Sequence, residues 1–459
     1  MTQCTTRRIW STVSIAIAAA LLSGPGSAGA EGIKLYGIMT PANTQFGSAA
    51  AVGGGLVVIG APKDDGAASA SGAAYVFDAS GAFITKLVAS DGVTNAGFGR
   101  AVAVDGDLIV IGAPSQLGFQ GAAYVFRFDG AAWSEEAILT APGLSYWSFG
   151  FTVAVSGEQI LVTCSNIYDG TALNTGAAFF FGFDGNEWGA SGLAQTSGGG
   201  TSGDLYGRSS DIDGTRAVVG AATAAKAYLY ESNGSVWQSA GVINAPGGGG
   251  GSRFGDAVGL HDDTLVIGAP LDSQQGSNAG AAHVYRQVGG SWIHEQKLLP
   301  PATSPPQAVN GSRFGDAVSI HADRIVVGAP ESSGEEDVEK SGAAFVYDHN
   351  GSAWLLTSSP ADMNPAFEDL LGSAVAIGPS AMVVGIPNDD DTGTNEGSAL
   401  LLPAPDAPRL LGDLNGDGVV DGADLGILLG AWGGPGGDLN GDGTTDGADV
   451  GVLLSQWNG

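Results

Sequence analysis

Basic residues are scarce in this chain: 17 Lys and Arg stand against 47 Asp and Glu over 459 residues, a formal net charge of −30. A surface of that sign has no cationic face with which to neutralise phosphates, so nucleic-acid binding is excluded, whereas solubility and divalent cations are favoured. Cysteine is scarcer still. Cys4 and Cys164 are the two present, which excludes a disulfide framework and a cysteine-built zinc cluster. Beyond the N-terminus no run approaches the ~18 apolar residues of a bilayer-spanning helix, so no membrane insertion of the mature chain is expected. Also missing are a Gly-x-Ser-x-Gly elbow, a His-Glu-x-x-His pair and a phosphate-binding Gly-rich loop, and no catalytic residue is assigned.

What is present begins with a leader. Arg7 and Arg8 precede an apolar stretch from Ile9 to Leu22, and Ala28-Gly29-Ala30 stand before Glu31. This is the pattern of a cleaved secretion signal over residues 1–30, and it places the mature protein outside the cell or at its surface.

Glycine is the most conspicuous excess, with 77 copies, and it falls in a repeat. Phe98-Gly99 is followed by an Ala/Val-rich stretch and then by Gly112-Ala113-Pro114. The same frame recurs at Phe46-Gly47, Phe149-Gly150, Tyr206-Gly207, Phe254-Gly255, Phe314-Gly315 and Leu371-Gly372. Fourteen residues separate the aromatic or Leu from the first residue of the triplet in every copy, while the copies themselves lie 48 to 60 residues apart. A constant internal spacing with variable separation means a rigid core and variable loops. Copies three and four are degenerate, with Thr163-Cys164-Ser165 and Gly220-Ala221-Ala222 in the triplet slot.

Each triplet is followed by a strand-like run such as Gly72-Ala73-Ala74-Tyr75-Val76-Phe77, and in five copies by Trp133, Trp188, Trp237, Trp292 or Trp354. Tight turns such as Asp105-Gly106-Asp107 join the first two runs of a unit. Four antiparallel strands repeated seven times predict an all-β fold, a seven-bladed β-propeller over residues 31–402. Phe and Trp are expected to fill the gaps between blades. The seventh unit lacks a fourth strand, and Ile33 to Thr40, whose Lys34-Leu35 echoes Lys297-Leu298, is expected to supply it and close the ring.

These residues resemble the FG-GAP repeats of integrin α-chain propellers and of bacterial extracellular proteins. The resemblance implies a secreted binding, adhesion or scaffolding protein, with an unknown protein or polysaccharide as the propeller's ligand. Calcium-binding members carry a long acidic loop between the first two strands. Here those turns are short, so the propeller calcium sites are not carried over. Acidic residues instead gather between the second and third strands, at Asp64-Asp65, Asp272, Glu331, Glu335 to Asp337 and Asp389 to Asp391, and are expected to form a rim of solvated loop tips on one face.

Residues 403–410, rich in Pro, read as a stiff spacer. Beyond it, residues 411–459 hold two copies of one acidic loop, DLNGDGVVDGAD from Asp413 and DLNGDGTTDGAD from Asp438. Oxygen-bearing residues at positions 1, 3, 5, 9 and 12 with Gly at 6 match a calcium loop. The expected ligands are Asp413, Asn415, Asp417, the Val419 carbonyl, Asp421 and Asp424 for one Ca²⁺. For a second they are Asp438, Asn440, Asp442, the Thr444 carbonyl, Asp446 and Asp449. Eight Asp and no basic residue lie in this segment, so cations are needed to relieve its self-repulsion. Helices following each loop are expected to bury Leu425, Leu428, Leu429 and Trp432 against Val450, Leu453, Leu454 and Trp457.

A duplicated loop-helix unit of this kind is similar to a type I dockerin, an α-helical EF-hand-like domain. That resemblance implies a cohesin-like or other cell-surface protein as docking partner. Gly422-Ala423 and Gly447-Ala448 replace the family's usual Ser/Thr contact pair. A carbohydrate-active enzyme or lectin attached to a polysaccharide-degrading assembly is the alternative reading.

Overall fold

The spacing of fourteen has a hydrogen-bond explanation. In the four Phe-Gly copies whose triplet opens on Gly, the N–H of the motif Gly donates to the carbonyl of that Gly, closing the first hairpin at its base: Gly47 to Gly60 at 3.1 Å, Gly99 to Gly112 at 3.1 Å, Gly255 to Gly268 at 2.9 Å and Gly315 to Gly328 at 2.9 Å. The hairpin length is thereby set, and with it the distance between the two motifs.

The computed structural model describes residues 32–37, 43–142, 146–164, 166–167, 176–194, 203–234, 236–248, 250–301, 310–333, 338–403, 414, 420, 422–434, 437, 439 and 445–455. The expected leader, residues 1–30, lies outside them. Among the described residues there are seven four-stranded antiparallel sheets, the blades of a propeller. Blade 1 runs from Ala49–Gly53 through Leu56–Ala61 and Ala73–Asp78 to Phe83–Leu87, and blade 2 from Ala101–Asp105 through Leu108–Ala113 and Ala122–Phe128 to Trp133–Leu139. The innermost strands of blades 3 to 7 are Val153–Ser156, Tyr206–Asp213, Val258–His261, Ala317–His321 and Val375–Ile377. Each innermost strand touches those of both neighbouring blades, and that of blade 7 touches that of blade 1, so the ring is closed.

Closure is made by the N-terminal strand, as expected. Ile33–Tyr36 adds antiparallel to Ser398–Pro403 with Ile33 opposite Leu401 and Tyr36 opposite Ser398. The strand is shorter than the Ile33–Thr40 run, with residues 38–40 outside the described part. A second closure is made by Phe46, whose N–H donates to Glu396 O of blade 7 at 3.1 Å. The last strand extends through Pro403, one residue into the expected spacer.

Between blades the aromatic of each Phe-Gly pair is fully covered. Phe46, Phe98, Phe149, Tyr206, Phe254 and Phe314 are all 0% exposed. Each meets an aromatic on the third strand of its own blade, with ring centres 5.2 to 5.5 Å apart, edge-on or tilted. Such pairs add roughly 0.5–1.5 kcal/mol to the burial of the rings. The tryptophans do less of this work than expected. Trp237 and Trp354 are buried, but Trp133, Trp188 and Trp292 are only half-buried, because the fourth strand is the outer edge of its blade.

A β-bulge recurs where the third strand meets the fourth, at Val76/Phe77, Val125/Phe126, Phe180/Phe181, Leu229/Tyr230, Val284/Tyr285 and Val346/Tyr347. One extra residue sharpens the twist of each outer edge. Nothing in the residue pattern announces it.

Two blades depart from the Phe/Tyr rule: blade 7 has Leu371 and Leu400, and blade 5 has a histidine. His283 stands where five other blades place Tyr75, Tyr124, Phe179, Tyr228 and Phe345, and it is 4% exposed, 5.4 Å from Phe254. Burial, with Lys297 and His294 nearby, pushes its pKa down to about 4. The folded state therefore holds His283 neutral while the unfolded chain takes up a proton below pH ~6.5. Its contribution is fully present above that pH and is lost as pH falls toward 4, by about 3 kcal/mol. His283→Tyr, which would point a hydroxyl toward Asp272 as Tyr75 does toward Asp64, is expected to remove this acid-side loss. Chemical denaturation of both proteins at pH 7.5 and pH 4.5 measures it: the stability gap between them should widen at the lower pH, and a gap independent of pH would refute the assignment.

The C-terminal segment contributes two described helices, Gly422–Gly430 and Gly447–Ser455. Leu428 and Leu453 are buried with Val420, as expected. Leu429, Leu454 and Trp432 are not: they are 51%, 51% and 55% exposed. With 3.6 residues per turn, each adjacent Leu pair straddles the edge of the apolar stripe, so one faces in and its neighbour faces out. Trp457 lies outside the described residues. No helix among the described residues is long and apolar enough to cross a membrane.

Candidate functional site

The loops between second and third strands do not form the solvated acidic rim expected of them. Asp64 is 0% and Asp389 2% exposed. Asp64 accepts from Tyr75 Oη at 2.5 Å and from Lys86 Nζ at 2.6 Å. Asp272 pairs with Lys297 at 2.9 Å, and Asp389 with Lys34 at 2.6 Å and with Ser398 Oγ. Lys86, Lys297 and Lys34 are the same position of the fourth strand in three blades, so each blade folds its loop down by an ion pair. The loop is held a second time through backbone: Gly72, Gly280 and Gly397 donate to the carbonyls of Asp64, Asp272 and Asp389. Asp65 and Asp390 do remain exposed, and residues 335–337 lie outside the described part. The carboxylates of Asp369, Asp389 and Asp390 approach one another within 4.8 Å. Burial and its acidic neighbours push Asp369 up to about 6, while Lys34 already supplies Asp389 with a cation.

Two further histidines, His261 and His321, are structural as well. His261 and His321 end the innermost strands of blades 5 and 6, ring centres 4.5 Å apart. Their position, five residues beyond the motif glycine's successor, falls at one mouth of the axial channel in every blade. Its side chains reach the turn of the next blade: Asp105 Oδ2 accepts from Gly157 N at 2.7 Å, Ser156 Oγ from Gly214 N at 3.0 Å, Asp213 Oδ2 from Asp262 N at 2.6 Å and His261 Nδ1 from Ala322 N at 3.4 Å. His321 faces Pro379, which has no N–H to give. Burial and His261 hold His321 below the ordinary imidazole range. The cavity at this mouth measures about 460 Å³, but its polar groups are engaged in stapling blade to blade.

The opposite mouth differs. It is ringed by the residue that follows each motif glycine: Ser48, Arg100, Phe151, Arg208, Asp256, Asp316 and Ser373. Most of them line a cavity of about 300 Å³. Phe151 stands in ring order between two cations, with its ring centre 5.6 Å from the Arg100 guanidinium and 5.4 Å from that of Arg208. Arg208 Nε donates to Asp256 Oδ1 at 3.0 Å, and Arg253 approaches the same oxygen at 3.3 Å. Arg313 bridges Asp316 at 2.5 Å and Glu331 at 3.0 Å. Asp316 is pushed up by burial against the pull of Arg313.

Arg100 has no carboxylate partner among the described residues. It keeps an exposed surface, and the protein packed around it together with Arg208 lowers its pKa. One further group lining this cavity is unspent: Asp256 Oδ2 is buried without a hydrogen-bond partner. Four guanidiniums against three carboxylates leave one positive charge in excess, inside a chain of net charge −30. Sequence reasoning missed this ring. The signal was present, since a position flanked by Gly on one side and by Ala, Thr or Ser on the other carries Arg, Phe or Asp in five of seven copies.

Cys164 is 0% exposed, and burial pushes its thiol up to about 12, so it is an unreactive core residue. Its neighbour Thr163 donates to Gly207 O at 2.8 Å, filling the slot that a Gly holds in the other blades.

Of the expected calcium ligands, Asp413, Asn415, Asp417, Val419, Asp421, Asp438, Asn440, Asp442 and Thr444 lie outside the described residues. Asp424 and Asp449, position 12 of each loop, are both 0% exposed. Each accepts the N–H of position 2 of its own loop at 2.8 Å, Leu414 for Asp424 and Leu439 for Asp449. Asp446 N donates to Asp449 Oδ2 at 2.7 Å.

Set against known proteins, four segments match the FG-GAP repeat: residues 40–77, 82–126, 237–285 and 292–347. Each ends on the aromatic of a third strand. The chain thus carries FG-GAP repeats in a seven-bladed propeller, the kind of fold that serves as a binding or adhesion module. Its solved neighbours in shape include RRP9 WD40 repeats, at 9% identity and a TM-score of 0.52, covering 83% of this chain and 99% of that one. U3-55K follows at 10% identity and 0.52, covering 81% and 99%, as does a chain of a mitotic checkpoint complex at 10% and 0.52, covering 86% and 100%. At such identities the likeness is one of fold alone. No curated protein matches the sequence.

Proposed function

We propose that this is a secreted, non-catalytic binding protein of the adhesion or scaffolding type. Its propeller presents a ligand site, and residues 411–459 form a dockerin-like, calcium-dependent docking element for a cohesin-like or other cell-surface partner. The observation that carries the binding half is the Arg100 mouth, where Arg100 has no carboxylate partner among the described residues and Asp256 Oδ2 is buried without a hydrogen-bond partner. The enzymatic alternative is not favoured by these contacts, because Asp256 and Asp316 are each held by arginine rather than set apart as acid and base.

The docking half rests on a contact made twice. In both loops the buried Asp at position 12 reaches back to accept the N–H of position 2. That fits a hard, oxygen-bound cation, and a bound Ca²⁺ would neutralise the loop's carboxylates. Leu429 and Leu454, exposed on the two helices, and Trp432, exposed just beyond the first, supply an apolar surface for a partner. Calorimetric titration of the chelator-treated full chain with CaCl₂ is expected to show two sites. Asp424→Ala combined with Asp449→Ala should abolish both; a chain that takes up no calcium at millimolar concentration is not a calcium-dependent docking protein.

A further inference from the structure

The channel mouth that carries Arg100 makes a more specific demand on its ligand than the general reading of the propeller as a binding module, on which this inference rests. Three features constrain the occupant. The one excess positive charge, centred on the unpaired Arg100 and reinforced by Arg208, calls for an anion, and Asp256 and Asp316 on the far side of the ring disfavour a dianion such as phosphate. The free Asp256 Oδ2 is an acceptor and calls for a hydroxyl donor on the same ligand, since a buried acceptor left unmade is costly. The cavity, about 300 Å³, is at the small end of ligand pockets and suits a single ring.

We propose that this mouth binds a hydroxylated monocarboxylate of single-ring size, a sugar acid, with its carboxylate on the Arg100 guanidinium and a ligand hydroxyl donating to Asp256 Oδ2. Guanidinium is suited to carboxylate through its fixed fork of donors. Phe151 spaces Arg100 from Arg208, so Arg100 is held beside a second cation without a carboxylate of the protein's own.

Calorimetry of the full chain with sodium glucuronate as probe tests this, with glucose, sodium acetate and sodium sulfate as comparison arms. Glucuronate is expected to bind at one site per chain, with glucose silent and both acetate and sulfate at least tenfold weaker. Arg100→Gln should weaken glucuronate at least tenfold, and Arg100→Lys should recover part of that loss. Because Arg100 faces the channel, both variants should melt with the wild-type curve, which separates a lost contact from a lost fold. Absence of glucuronate binding, or unchanged affinity in Arg100→Gln, overturns the proposal. Acetate binding as tightly as glucuronate overturns the sugar-acid assignment, and sulfate binding more tightly overturns the monocarboxylate. Affinity should be the same with and without EDTA, so a failure of calcium docking and a failure of this site read out separately.

Discussion

Deleting residues 31–37 is expected to abolish the cooperative unfolding transition of the propeller. The strand Ile33–Tyr36 carries all four residue pairs to Ser398–Pro403, and without it that strand becomes a bare edge of the kind that pairs with other chains. It also removes Lys34, whose side chain is 9% exposed and whose ammonium lies 2.9 Å from Asp362, 2.6 Å from Asp389 and 2.5 Å from Asp391. Buried carboxylates stripped of their cation cost on the order of 3–5 kcal/mol, so Lys34→Ala alone should lower stability by about that amount. Near-ultraviolet circular dichroism against denaturant, with size-exclusion chromatography for the aggregation, measures both. A truncated chain that stays monomeric and unfolds with the wild-type midpoint would mean that the ring does not depend on this strand.

The second large effect is expected at the glycine that opens a triplet. A Cβ built on Gly112 would lie 2.1 Å from Gly150 O of the next blade, and the same close approach is made by Gly60, Gly268, Gly328 and Gly385, at 1.9 to 2.1 Å. The obstacle is backbone on both sides, and Gly150 is itself tied by its N–H to Thr163 O at 3.0 Å, so neither partner can yield without moving a blade. Gly112→Ala should therefore cost about 3–5 kcal/mol, at the upper end of overpacking. Gly189→Ala is the control: nothing lies within 4 Å of its Cβ position, and a change within about 0.5 kcal/mol is expected. Equal losses in the two variants, read from denaturation midpoints, would show that interblade contact is not what the motif glycine serves.

Thr163 shows how this chain accommodates a departure from that rule. At the blade 3–4 junction the register of the innermost strand shifts between Tyr206 and Ser209, and the space so opened admits Thr163, whose hydroxyl then bonds Gly207 O. The degenerate triplet visible in the sequence is matched by a compensating irregularity across the interface. Blades 3 and 4 contribute the innermost strands that fall between the matched FG-GAP segments.

Much of the architecture was legible because it is written in contacts of short range. The hairpin bond from Gly99 to Gly112, the tight turn after Asp105 and the Lys34-Leu35 echo of Lys297-Leu298 all lie within one repeat or compare like with like between repeats. The outward face of Leu429 and Leu454 was misjudged because four apolar residues in a helical turn do not say which of two adjacent leucines faces the partner helix. The acidic loops were misjudged for a related reason: Asp64 and Lys86 are 22 residues apart, and only the pairing of third and fourth strands brings them to 2.6 Å.

By itself, then, the order of residues determined the four-stranded unit, its hairpin lengths and the need for an N-terminal strand to finish the last blade, because hydrogen bonds between near neighbours dictate each of these. Tertiary structure alone decided which charges are spent and which are free. Arg100, Phe151, Arg208 and Asp256 come from four successive repeats, and they meet only because ring closure sets residues some fifty positions apart side by side. Coulomb interaction follows distance in space, so whether Arg100 finds a carboxylate or waits for one could be read only once the blades had closed around the channel.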